Sequence, residues 1–104
     1  MIQRFCFVKL LDDEVADRAQ LAEKVRAELV DAGADAVVGL PADDSAARWD
    51  ISIVITAASL EAWNALARLP AMVGVLDDLA ARAAVVKAWT FQAVSPSGGG
   101  EALD

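Results

Sequence analysis

The sequence predicts one α+β domain, a four-stranded antiparallel sheet with helices on one face. Three observations predict it. Four short runs rich in β-branched and aromatic residues are spread along the chain. Two segments of helical apolar period separate the first run from the second and the third from the last. The length, 104 residues, is that of a single domain.

Residues 2–10, Ile-Gln-Arg-Phe-Cys-Phe-Val-Lys-Leu, form the first predicted strand. Asp12, Asp13 and Glu14 then offer an N-cap and first-turn acids that suit the positive end of a helix. Val15, Ala19, Ala22, Val25 and Leu29, with Leu21, recur at helical spacing, and Gly33 follows as a C-terminal stop. Residues 35–40 are the second strand, and Pro41 to Arg48 is a polar connection. Residues 49–56 alternate, with Trp49, Ile51, Ile53 and Ile55 on one face and Asp50, Ser52, Val54 and Thr56 on the other. Ser59 caps a second helix from Leu60 to about Arg68, striped by Leu60, Trp63 and Leu66/Ala67. Pro70 breaks that helix or starts another, Ala71 to Ala81. Residues 84–94 are the fourth strand, which places the domain at 1–94, with a disordered tail expected over 95–104 and its Gly98-Gly99-Gly100.

Strand, helix, strand, strand, helix, strand is the order of a ferredoxin-like split βαβ subunit. Helices then cover one sheet face and leave the other open. With the more apolar set of the third strand turned to the helices, Phe5, Phe7, Val54, Val85, Trp89 and Phe91 point outward. A patch of this size exceeds what a monomer ordinarily exposes. The expected partner is a second copy of the chain, packed sheet to sheet. Alanine adds to that expectation: its 23 positions inflate the 57% hydrophobic content while burying little area each.

Composition removes several function classes. No histidine is present, so nucleophiles activated by imidazole and most zinc or iron sites are excluded. A single cysteine forms no internal disulfide, and with no signal-peptide pattern at the N-terminus the expected location is cytoplasmic. The net charge of −7, with basic residues scattered, speaks against nucleic acid and anionic membrane surfaces as partners. Neither a cofactor nor a metal is expected. Asp12-Asp13-Glu14 does not have calcium-loop spacing, and Gly98–Gly100 lacks the strand–helix frame of a phosphate loop.

The opening Met-Ile-Gln-Arg-Phe-Cys-Phe-Val-Lys-Leu resembles the first strand of the stress-responsive A/B barrel (Dabb) domain family. So do Trp49-Asp50-Ile51-Ser52-Ile53 as its third strand, Leu69-Pro70-Ala71-Met72 after its second helix, and Trp89-Thr90-Phe91, where the family commonly has Asp at the position of Thr90. The resemblance spans residues 1–94 and rests on order and spacing. It implies a subunit paired through its sheets into a dimeric α+β barrel. Plant polyketide cyclases of that family use a His in a His-Pro-Ala-His stretch as base, a Tyr upstream and a His on the first strand. The matching positions here are Met72, Leu66 and Arg4, with Leu69 at the first His of the stretch, so the polar parts of that reaction are missing.

The resemblance also implies a pocket between sheet and helices, and Arg4, Cys6, Val8, Ile53, Leu66, Leu69 and Met72 are its expected lining. Such a pocket suits a small apolar molecule, with Arg4 as the polar anchor for a carboxylate or enolate. The bland alternative makes Arg4 a strand-end arginine paired to Asp50 or a helix acid. Cys6 reads as an inert, buried thiol and Asp50 as exposed or salt-bridged across the dimer interface to Lys87 or Lys9. Three functions stay open: a ligand-binding dimer without catalysis; a cofactor-independent cyclase, isomerase or monooxygenase using Arg4 and Asp50; and a structural or interaction module.

Overall fold

The computed structural model describes residues 1–94, and the tail predicted over 95–104 lies outside them. Strands β1 (Ile2–Leu10), β2 (Asp35–Gly39), β3 (Ile51–Ala57) and β4 (Ala83–Gln92) form one sheet in the order β2-β3-β1-β4. All three pairings are antiparallel. Helices α1 (Arg18–Asp31), α2 (Leu60–Ala67) and α3 (Pro70–Ala81) complete the ferredoxin-like subunit. No helix among the described residues is long and apolar enough to cross a membrane.

Alternation along the strands builds the core. Ile2, Val8, Leu10, Ile51, Ile53 and Ile55 project from the sheet onto Leu21, Val25 and Leu29 of α1, Trp63 of α2, and Met72, Val75 and Leu79 of α3. Helix α1 ends as its glycine requires. Gly33 adopts a φ of +94°, its amide donates to Val30 O, and the Ala34 amide reaches back to Leu29 O. That pairing satisfies carbonyls the helix would leave open, in a conformation that a Cβ disfavours. Ser59 caps α2 as predicted, its Oγ accepting the Ala62 amide at 3.0 Å. Pro70 is the first residue of α3, which resolves the alternative left open at that proline.

Several expectations need correction. Asp12, Asp13 and Glu14 do not cap α1; they open a separate 3-10 helix, Asp12–Asp17, whose N-cap is Leu11. Its acids still sit in a first turn, and Glu14 pairs with Arg82 at 3.2 Å. The third strand starts at Ile51, two residues later than predicted, because Asp50 is drawn inward. Its amide donates to Val8 O, its carboxylate accepts the Leu10 amide at 2.9 Å, and Arg18 donates to it at 3.0 Å. Asp50 is therefore buried, not exposed, and its ion partner within the chain is Arg18, not Arg4. Alternation fails at the same place for Trp49, whose ring lies against Phe7, 5.8 Å between centroids, on the face away from the helices.

Candidate functional site

The helix-facing side of β1 carries the residues with chemistry. Arg4 and Cys6 lie two apart on that strand, and Arg4 pairs in register with Thr90 of β4 and Ile55 of β3. Shared register puts Arg4 and Thr90 on one face, and the guanidinium donates to Thr90 Oγ1 at 2.9 Å. From above, Trp63 of α2 presents its ring with the guanidinium carbon 5.5 Å from the centroid, a cation–π geometry. The charge is thus clamped between the sheet and α2. Because Val86 and Thr90 are exposed on this side of β4, it also has access to solvent.

Below the guanidinium lies a cavity of about 150 Å³. Arg4, Cys6 and Ile53 line it together with Trp63, Leu76 and Leu79. Only Arg4 and Cys6 among its lining residues carry an ionisable group. Burial pushes the Cys6 thiol above its ordinary range, and the Arg4 charge only partly opposes this. The thiol stays protonated at neutral pH and is a poor nucleophile.

The predicted lining is brought together only in part. Arg4, Cys6 and Ile53 meet in the cavity. Val8 and Met72 are fully buried core residues, Leu66 packs against the core from its edge, and Leu69 is exposed just before α3. The proline at the start of α3 explains the split, since it turns Leu69 outward as N-cap and Met72 inward. Arg4 and Asp50 do not converge either. Asp50 sits beside Leu10, six residues further along β1, roughly 20 Å from Arg4 at strand rise.

The opposite sheet face has a different character. Phe5, Phe7, Val54, Val85, Trp89 and Phe91 all occupy it, as the alternation predicted. Phe5 meets Phe91 edge-on at 5.6 Å, and Phe7 lies between Trp89 at 5.9 Å and Trp49. Trp89 is 46% exposed and Phe91 56%. A groove of about 550 Å³ runs between Phe5, Phe7, Trp89 and Phe91 down to Val94. Val37 on β2 extends the patch and was missed in the sequence, although its pairing with Val54 follows the same alternation. Trp63 and Thr90 were missed as neighbours of Arg4. The antiparallel pairing of the first and last strands carries the signal for Thr90, and the Ser59 cap fixes the phase that turns Trp63 inward.

No family model matches the chain, and no curated protein does. Solved structures do. A protein from Arabidopsis thaliana is similar with a TM-score of 0.76 at 16% identity, over 93% of this chain and 99% of that one. A dimeric ferredoxin-like protein of unknown function from Thermobifida fusca gives 0.70 at 18% identity, over 86% and 88%. An antibiotic biosynthesis monooxygenase gives 0.67 at 8% identity, over 91% and 100%. At these identities the likeness establishes the fold.

Proposed function

We propose that the protein is a homodimer of the α+β barrel kind, related to the Dabb domains, and that each subunit binds a small, largely apolar molecule with one anionic group. The observation that carries the binding reading is Arg4, a guanidinium clamped by Thr90 and Trp63 above an otherwise apolar cavity. A planar guanidinium offers paired donors that match a carboxylate or enolate. The dimer reading is supported by the exposed aromatic face and by the Thermobifida fusca structure, which is dimeric.

Binding fits better than catalysis. A cofactor-independent cyclase, isomerase or monooxygenase on this fold needs a base beside the anchored substrate. Cys6 holds its proton, and Asp50 is tied to Leu10 and Arg18 at the far end of the strand. A second reading, a module that assembles without a ligand, draws on the cavity volume. About 150 Å³ is below the roughly 300 Å³ at which small-molecule pockets usually begin. An occupant therefore has few heavy atoms, or displaces the Trp63 ring.

The test is a thermal-shift comparison of benzoate and cyclohexanecarboxylate with their uncharged amides. Acids that raise Tm while the amides do not, with the rise lost in Arg4→Ala, support the binding reading. Equal shifts in Arg4→Ala, or none with any of the four at millimolar concentration, contradict it and leave the ligand-free module.

A further inference from the structure

The open face is not uniformly apolar, and its charges have an arrangement that selects one way of pairing two copies. The inference rests on the dimer reading above. Three charged residues project from the strands on this side. Asp35 starts β2, level with Thr56, Gln3 and Phe91 across the sheet. Lys9 and Lys87 lie toward the other end of the strands, on β1 and β4, where Lys9 pairs with Val85 and Lys87 with Phe7. Since β2 and β4 are the two edges, the acid stands at one corner of the face, and the two amines flank the corner diagonally opposite, which Val85 of β4 occupies. All three are exposed, and none forms an ion pair with another described residue.

Two identical faces that close on each other are related by a two-fold axis lying between the sheets. Along the strands, such an axis sets Asp35 over the partner's Phe91. Across them, it sets Asp35 over the partner's Pro41. On the diagonal through its own corner, Asp35 meets the partner's Asp35. The remaining diagonal brings Asp35 between the partner's Lys9 and Lys87, twice by symmetry. It also places Phe5 against the partner's Phe5 and Val54 over the partner's Phe7, so apolar groups fill the centre between the two charged corners. The two sheets then cross near right angles, one of the two ways in which sheets pack.

The geometry points to an orthogonal sheet-to-sheet homodimer whose register is set by reciprocal Asp35–Lys9/Lys87 ion pairs across the interface. Each subunit carries −7, so two copies repel at long range. Spending two of nine basic residues on this face, opposite the one acid on its strands, offsets that repulsion locally and makes misaligned pairings carry unpaired or like charges.

Charge reversal tests this without disturbing either core. In Asp35→Lys the homodimer sets lysine against lysine, and in the double variant Lys9→Glu, Lys87→Glu it sets acid against acid. Each variant alone is expected to dimerise at least tenfold more weakly than the parent at low salt. Mixed together they restore both pairs, so native mass spectrometry is expected to find heterodimers well above the statistical half of all dimers. Salt near 0.5 M shrinks the difference. A parent that dimerises while the variants dimerise equally well, or mix statistically, overturns the ion-pair register and leaves the dimer. A monomeric parent overturns the dimer reading itself, and this inference with it.

Discussion

Asp50 closes one end of the sheet by accepting the Leu10 amide at 2.9 Å. The same carboxylate holds Arg18, the first residue of α1, so one buried side chain joins the end of β1, the start of β3 and the helix between β1 and β2. This is a structural role, and it accounts for the burial of the carboxylate. Asp50→Ala is expected to cost about 2–3 kcal/mol, because it orphans a buried amide and frees a half-buried guanidinium. Asp50→Asn keeps an acceptor for Leu10 and is expected to cost roughly half as much. Urea unfolding measures both, and a cost below about 0.5 kcal/mol for Asp50→Ala contradicts the role.

Met72 and Leu69 were expected in one pocket lining and stand in different environments, one buried and one exposed. Met72→Ala is expected to lose about 2–5 kcal/mol through the cavity it leaves. Leu69→Ala is expected to stay within about 0.5 kcal/mol. Similar losses at both positions contradict the assignment of Met72 to the core and Leu69 to the surface.

Cys6 gives a pH-dependent prediction. Burial raises its thiol above the ordinary value, so the folded chain holds the proton more tightly than the unfolded chain. The associated stability is complete below the ordinary cysteine range and is lost as pH rises through the folded value. Alkylation by iodoacetamide is expected to show a midpoint above that of a free cysteine peptide. Removing the opposing charge with Arg4→Ala is expected to move it higher. A midpoint at or below the peptide's contradicts the environment described.

Much of this was legible from residue spacing. Period-two alternation in β1, β3 and β4 assigned the helix-facing and open faces from Ile51 onward, and the polar–apolar contrast at Ser59 and Gly33 marked helix boundaries. What failed did so for reasons of tertiary pairing. Alternation cannot register that a carboxylate will be captured by an amide on another strand, which is what moved Asp50 inward and Trp49 to the open face. The site suffered similarly. Arg4 was legible as a helix-facing charge, but its clamp joins Thr90 of β4 and Trp63 of α2, and each of those signals becomes readable only once the pairing of β1 with β4 and the seating of α2 on the sheet are known.

The aromatic face is where the account is most exposed to contradiction. Trp89→Ser and Phe91→Ser remove large rings that the fold itself leaves half uncovered, so each variant is expected to keep its monomer fold by circular dichroism while weakening association by about 2 kcal/mol or more. Association unchanged in both variants contradicts a central role for the two rings.

Sedimentation equilibrium of the parent chain at micromolar concentration tests the central claim most directly. The account predicts twice the 10.9 kDa chain mass, with Trp89, left as the one tryptophan by Trp49→Phe and Trp63→Phe, shielded from a soluble quencher. A single-chain mass with Trp89 fully quenched would contradict it.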